Sequence, residues 1–219
     1  MTVEAVIWDF GGVFTTSPFE AFNRFEAEQG LPKDLIRRVN STNPDTNAWA
    51  LFERNEVDTA RFDALFLEES TAQGHAVRGA DVLPLLNGML RPRMVAALKA
   101  CKAQFKVGCI TNNVVSMHSP GQAEGQRAAG AMAQVMPLFD AIIESSKAGV
   151  RKPDPKIYLM MCDLLAVRPA ACVYLDDLGI NCKPAAALGM RAIKVVDVDQ
   201  TLADLAAATG LAFAAEAAA

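Results

Sequence analysis

Five short apolar runs that alternate with helical patterns constrain the fold of this chain more than any other feature. The runs are rich in β-branched and small residues and show no alternation of apolar and polar positions, which is typical of strands covered on both faces. Strands that alternate with helices form parallel sheets with right-handed crossovers. We therefore predict an α/β protein with sheet strands at residues 3–8, 107–110, 141–143, 172–175 and 192–196.

The rhythm of strands and helices is interrupted after the first strand. The interruption contains no stretch typical of a strand, but it has stretches with helical spacing or helix caps at residues 18–28, at residues 48–54 and behind Asp58. The ends of this insert, near Thr16 and Arg91, must lie close together for the sheet to resume. An insert at the carboxyl end of a strand covers the crevice where open α/β sheets bind ligands, which indicates a lid. We predict a helical cap domain of residues 17–90 and a core domain of residues 1–16 and 91–219.

Polar side chains follow four of the predicted strands or their connections. They are Asp9 in WDFGGVF, Thr111, Asn112 and Asn113 in GCITNN, Lys152 in GVRKPDP, and Asp176 and Asp177 in VYLDDLG. The carboxyl ends of parallel strands open on one side of the sheet, so these groups converge if the strands are neighbours. Carboxylates that face one point repel each other unless a cation lies among them, and hard oxygen ligands favour Mg²⁺. The pattern predicts a magnesium site beside a bound phosphate.

The same residue types suit a phosphoryl transfer. A free oxygen of Asp9 can attack phosphorus to give an aspartyl phosphate. The Lys152 ammonium and the Thr111 hydroxyl can contact the phosphoryl oxygens, and the backbone N–H groups of the turn at Gly11 and Gly12 can complete an anion cradle.

Each of these residues also has a purely structural interpretation. Asp9 is a common residue type at strand exits, and Asn112 and Asn113 are ordinary turn formers. Lys152 follows Arg151 in a loop, where either side chain can be a solvated surface cation. His118 lies in a polar loop after the second strand, where a surface or locally hydrogen-bonded histidine is the favoured interpretation; a position at the border of the active site or of a subunit contact is the alternative.

The four polar stretches, in this order, resemble the motifs of the haloacid dehalogenase (HAD) superfamily. The stretches SSKAGVRKPDPKIY and VYLDDLGINCKPAAALGMRAIKV are particularly similar to the N-terminal phosphatase domain of soluble epoxide hydrolase. The resemblance spans residues 1–16 and 91–210. It implies a Rossmann-like parallel sheet in the order 5-4-1-2-3, with a helical cap inserted after the first strand.

The resemblance also implies roles for individual residues. Asp9 would be the nucleophile and a ligand of Mg²⁺, with Gly11 as a ligand through its carbonyl, Asp177 as a ligand, and Asp176 and Asn181 ligating or orienting from nearby. The implied catalytic residues are Asp9, Lys152 and Thr111, and the implied substrate-binding residues are Gly11, Gly12, Thr111, Asn112 and Lys152.

Gly11 departs from the family pattern, which usually has a second aspartate there as general acid and base. General acid–base catalysis by such a residue raises the rate roughly 10²–10⁴-fold. We therefore expect a Mg²⁺-dependent phosphomonoester phosphatase that acts through a phospho-aspartate and is slowed by Gly11. The alternatives are a phosphate-ligand binding protein with weak or no turnover, and a haloacid dehalogenase, whose carboxylate substrate the Asp176 and Asp177 pair would repel.

Charge and hydropathy limit the partners. The formal net charge is -4 and no basic stripe is present, which argues against nucleic acid. No apolar run approaches the roughly 20 residues that span a bilayer, and the first residues lack the pattern of a signal peptide. We expect a cytoplasmic protein that acts on a small phosphorylated metabolite, with a homodimer as the default assembly because dimers are the commonest oligomers.

Overall fold

The computed structural model describes residues 2–86, 88–112 and 133–213. The strands of the described residues are β1 (Ala5–Trp8), β2 (Lys106–Thr111), β3 (Ala141–Glu144), β4 (Cys172–Asp176) and β5 (Arg191–Lys194). They form one parallel sheet in the order β3-β2-β1-β4-β5. Read from the other edge, this is the predicted order 5-4-1-2-3, so the Rossmann-like α/β fold is confirmed. The strand ends lie within two residues of their predicted positions.

Helices cover both faces of the sheet, as the lack of alternation in the strands requires. Val6 and Trp8 of β1 face the helices α6 (Pro92–Lys102) and α10 (Val198–Thr209). Ala5 and Ile7 face α8 (Pro155–Leu165) and α9 (Gly179–Ala187). A further short helix, α7 (Ser145–Ala148), follows β3. Because β1 is buried on both sides, its backbone is held firmly at the point where the chain leaves the sheet.

The segment from residue 17 to residue 90, here called the helical segment, has a hydrophobic core of its own. It contains α1 (Pro18–Glu28), α2 (Leu35–Ser41), α3 (Ala48–Glu53), α4 (Thr59–Ala72), α5 (Gly79–Val82) and the 3₁₀ turn Leu83–Leu86. In the described part of the chain, the buried apolar residues of this cluster all come from the segment itself. The remaining described residues, 2–16 and 91–213, are called the sheet region below.

Helix α2 was not predicted, and its N-terminus explains why. Asp34 at the N-cap position has a φ of 61° and makes no side-chain cap bond. The buried carboxylate of Glu26 in α1 accepts the N–H bonds of Asp34 and Ile36 instead, at 2.7 and 2.8 Å. The cap therefore comes from another helix, and it leaves no local signal in the sequence around α2. Helices α1, α3 and α4 begin where their sequence patterns predict.

The two ends of the helical segment meet, as an insertion after β1 requires. Thr15 pairs with Leu90 in an antiparallel bridge. The Thr16 N–H donates to the Met89 carbonyl at 2.8 Å, and the Arg91 N–H donates to the carbonyl of Phe14 at 2.7 Å. This pairing returns the chain to the sheet beside the turn that follows β1.

In the part of the chain that the structure describes, the helices are all too short or too polar to cross a membrane.

Candidate active site

Asp9 lies at the carboxyl end of β1, the middle strand of the sheet. Trp8 pairs with Cys109 of β2 and with Leu175 of β4, so Asp9 emerges between the ends of these two neighbours. The Asp9 N–H donates to the Leu175 carbonyl at 2.8 Å, and Asp9 Oδ1 accepts the N–H of Phe10 at 2.7 Å. The residue is only 7% exposed. The strand register thus delivers one carboxylate to the bottom of the crevice.

A buried ammonium group joins Asp9 to the end of β4. Lys152 is 1% exposed, and its Nζ lies 2.7 Å from Asp9 Oδ1 and 2.8 Å from Asp176 Oδ2. Burial acts to lower the pKa of Lys152, but the carboxylates of Asp176 and Asp9 outweigh it and raise that pKa above its ordinary value. The lysine therefore stays charged, as a buried amine does only when anions contact it.

The Asp176 side chain is fully buried, and both of its oxygens accept hydrogen bonds from the protein. Besides Lys152, its donors are the Tyr174 hydroxyl at 2.5 Å, the Leu178 N–H at 2.8 Å, and Asn181 Nδ2 at 3.0 and 3.1 Å. A buried carboxylate is tolerated when its oxygens are satisfied in this way. This network holds Asp176 rigidly under Lys152.

Asp177 completes a group of carboxylates that can hold a metal ion. Asp9, Asp176 and Asp177 each offer an oxygen, and these oxygens lie within 4.8 Å of one another. Burial and the neighbouring Asp176 raise the pKa of Asp177 to about 6. Burial also raises the pKa of Asp9 above its ordinary value, although Lys152 opposes this. Three carboxylates around one ammonium carry an excess of negative charge that a cation can balance. A hard divalent cation such as Mg²⁺ fits this set of oxygen donors.

The turn after β1 requires glycine at one position and leaves room at the other. Gly12 has a φ of +72°, and a Cβ there would lie 2.2 Å from Asp177 Oδ2. Its carbonyl accepts a bond from Arg91 Nη1 at 3.0 Å. A Cβ on Gly11, in contrast, would meet no heavy atom of the described residues within 4 Å. These residues therefore leave room for a Cβ at position 11.

Thr111 and Asn112 lie at the carboxyl end of β2, next to β1. Thr111 is the last residue of the strand and is 6% exposed. The Asn112 amide binds both backbone groups of Lys152. Its Oδ1 accepts the Lys152 N–H at 2.9 Å, and its Nδ2 donates to the Lys152 carbonyl at 3.0 Å. The same Nδ2 lies 3.3 Å from Glu53 Oε2. Asn112 thus supports the lysine loop.

The site contains residues that the sequence patterns did not reveal. Tyr174 lies inside an apolar run and is typical of a core residue, while Glu53 ends a helix and is typical of a surface residue. Arg151, which the sequence could place as a solvated surface cation, pairs with Glu53 at 2.7 Å. Asn113 and His118 lie outside the described residues.

Residues 3–189 match the model of a hydrolase family described as haloacid dehalogenase-like hydrolase. The chain belongs to this family. It is therefore a HAD-like hydrolase, in agreement with the order of its motifs and with its strand order.

Its relatives include phosphatases. The chain is 30% identical to bifunctional epoxide hydrolase 2 of Sus scrofa over 96% of its own length, but it spans only 40% of that protein. It is 29% identical to phosphatase MT3486 of Mycobacterium tuberculosis, over 92% of this chain and 91% of that protein. The HAD family enzyme BT-2542 of Bacteroides thetaiotaomicron, solved in complex with magnesium and inorganic phosphate, has a TM-score of 0.58 at 16% identity, covering 88% of this chain and 93% of that chain. This last likeness shows the shared fold.

We expect Gly12→Ala to lower the free energy of unfolding by about 1–3 kcal/mol, because it adds left-handed backbone strain and a contact with Asp177. The matched control is Gly11→Ala, whose Cβ meets open space and which should stay within about 0.5 kcal/mol of the wild type. Urea denaturation of both variants measures the difference. Equal losses would show that the turn is not shaped by the approach of Asp177.

We expect Lys152→Met to lower the free energy of unfolding by about 3–5 kcal/mol in the absence of divalent ions, because buried carboxylates lose their counter-charge. The control Lys147→Met removes an exposed lysine that pairs with Glu144, and it should cost about 1 kcal/mol or less. The same denaturation experiment compares the two. A similar small loss for both would mean that water, not Lys152, compensates the carboxylates.

Proposed function

We propose that the protein is a Mg²⁺-dependent phosphomonoester phosphatase that acts through a phospho-aspartate on Asp9. The observation that carries the proposal is the buried Lys152 ammonium between Asp9 and Asp176, with Asp177 adjacent. A carboxylate held against a permanent positive charge at the mouth of a parallel sheet suits attack on an anionic phosphorus centre. The phosphatase among its relatives, and the magnesium and phosphate bound by BT-2542, support the same chemistry.

The proposed reaction has two displacements at phosphorus. A carboxylate oxygen of Asp9 forms a bond to phosphorus as the ester P–O bond breaks, and the alkoxide leaves with a proton taken from solvent. Water then attacks the phosphorus of the aspartyl phosphate, which releases inorganic phosphate and restores the carboxylate. Lys152 balances the charge on the phosphoryl oxygens, and the Thr111 hydroxyl and the N–H groups of Gly11 and Gly12 bind those oxygens.

We assign the metal to Asp9, Asp177 and the Gly11 carbonyl. Bound there, Mg²⁺ supplies positive charge that offsets the phosphate and the carboxylates. Asp176 uses both oxygens for protein donors, so we assign it to holding Lys152 in place. Asn181 orients Asp176 through its amide.

We propose that the helical segment, residues 17–90, is a cap domain on a core of residues 1–16 and 91–219. It follows β1 directly and returns beside the Gly12 turn, so it is placed to cover the crevice. The substrate in this proposal is a small phosphorylated metabolite, and the protein acts in the cytoplasm.

Gly11 favours a second candidate, a phosphate-ligand binding protein with weak turnover. The nucleophile, the lysine and the carboxylates are all present, but position 11 carries no carboxyl to protonate the leaving oxygen. The haloacid dehalogenase alternative is disfavoured, because a substrate carboxylate would meet the carboxylates of Asp9, Asp176 and Asp177.

We expect the wild type to release phosphate from p-nitrophenyl phosphate when Mg²⁺ is present, and Asp9→Asn to reduce this release to background. The reason is that the amide is too weak a nucleophile to form the covalent intermediate. A phosphate-release assay over a panel of phosphomonoesters measures it, with Asp58→Asn in the helical segment as the control for an aspartate far from the sheet. Phosphate release that persists in Asp9→Asn would reject the phospho-aspartate intermediate. No phosphate release by the wild type would favour the phosphate-ligand binding protein.

We expect Gly11→Asp to raise turnover on alkyl phosphates by about 10²-fold and to change turnover on p-nitrophenyl phosphate much less, because a good leaving group needs no proton. A Cβ at position 11 meets no heavy atom of the described residues within 4 Å, so the substitution begins without a clash. Gly11→Asn has the same size without an ionisable proton, so it should not raise the rate. A gain in both variants, or in neither, would contradict a missing proton donor.

A further inference from the structure

Glu53, at the end of α3, makes several of the contacts that the described residues place between the helical segment and the sheet region. Glu53 is 7% exposed. Its backbone carbonyl accepts the Ser145 hydroxyl at 2.7 Å, and its carboxylate binds Arg151 Nη2 at 2.7 Å and Asn112 Nδ2 at 3.3 Å. The three donors belong to the sheet region, so polar contacts hold the segment to it at this point.

The donor set around Glu53 requires a carboxylate. Its Oε1 accepts the Trp49 indole N–H at 3.0 Å, while Oε2 receives Arg151 and Asn112. All three neighbouring groups are N–H donors, and an ionised carboxylate is the side chain that only accepts. Burial acts to raise the pKa of Glu53, and the Arg151 charge opposes this. A glutamine of the same size would turn an NH₂ group toward at least one of these donors.

Glu53 adds a third partner to the Asn112 amide. The Lys152 backbone orients that amide, because Oδ1 accepts the Lys152 N–H and Nδ2 donates to the Lys152 carbonyl. The same Nδ2 lies 3.3 Å from Glu53 Oε2. A flipped amide would place an oxygen against the Glu53 carboxylate, and this contact repels. The carboxylate of the helical segment thus reinforces the amide orientation that supports the lysine loop.

Arg151 forms a second connection between the same two parts. It precedes Lys152 in the chain and joins Glu53 to the carbonyl of Pro44, which its Nη1 contacts at 2.9 Å. Both residues that hold Glu53 are therefore linked to Lys152. Arg151 is its neighbour in the chain, and the side chain of Asn112 binds its backbone.

We infer that Glu53 is a positioning residue, which couples docking of the helical segment to the placement of Lys152 through Asn112 and Arg151. The inference rests on the proposed function only where Lys152 is taken to act on a phosphoryl group. With the segment docked on the sheet region, Glu53 holds Arg151 and Asn112, and these two residues brace the lysine loop beside Asp9.

The test compares Glu53→Gln with the matched control Glu56→Gln, whose carboxylate pairs with Arg54 on the surface of the same segment. Hydrogen exchange of the Lys152 amide, whose acceptor is Asn112 Oδ1, should become at least about fivefold faster in Glu53→Gln and stay within about twofold of the wild type in Glu56→Gln. With p-nitrophenyl phosphate and Mg²⁺, kcat should fall about tenfold in Glu53→Gln, with KM nearly unchanged. If Glu53→Gln does not fold, Arg151→Lys tests the same coupling, with Arg54→Lys as its control.

Unchanged exchange at Lys152 in a folded Glu53→Gln variant, or equal acceleration in Glu56→Gln, overturns the coupling. A wild type that releases no phosphate rejects the proposed phosphatase instead, and in that case the exchange measurement still decides whether Glu53 positions Lys152.

Discussion

A single ammonium group buried between carboxylates is the constraint on which the rest of the site depends. Lys152 is almost inaccessible to water, so its charge survives only because Asp9 and Asp176 lie within 2.8 Å of its Nζ. Those carboxylates in turn remain close to each other because the lysine lies between them. Moving any one of the three would leave a buried charge unpaired, which costs several kcal/mol by typical magnitudes, about 3–5. The site is therefore assembled as a unit.

The sheet register explains how two distant parts of the chain, the ends of β1 and β4, supply the carboxylates of this unit. The last residue of β1 pairs with Cys109 and Leu175, so the ends of β2, β1 and β4 lie side by side. Asp9 and Asp176 are consequently neighbours although 167 positions separate them in the sequence. The glycine turn after β1 then lets Asp177 approach so closely that Gly12 has no space for a Cβ. Strand pairing brings the charges together, and the turn allows a third carboxylate to join them.

The sequence predicted the parts of the structure that local chemistry determines. Apolar runs, the N-cap residue Asp58 and the polar residues at strand ends report on their own segments, and the meeting of Asp9, Lys152 and Asp176 agreed with the prediction. The strand order agreed with the order that the family resemblance implied. Helix α2 and the roles of Tyr174, Glu53 and Arg151 were missed because their partners are remote: Glu26 caps α2, and Glu53 is buried only when the helical segment meets the sheet region. No pattern around these residues records such contacts.

Gly11 lies in the turn beside the carboxylates, but the packing of the described residues does not require glycine there. Among these residues, a Cβ at position 11 would meet no heavy atom within 4 Å, whereas Gly12 beside it is required by Asp177. Residues kept small for structural reasons are crowded, and Gly11 is not. In the proposed phosphatase, the absent carboxyl would remove a proton donor and leave Lys152, Asp9 and the other carboxylates undisturbed. The leaving group of the substrate would then have to supply the stability that an acid at position 11 would otherwise provide. Under this proposal, selection among substrates falls on the leaving group as well as on the helical segment.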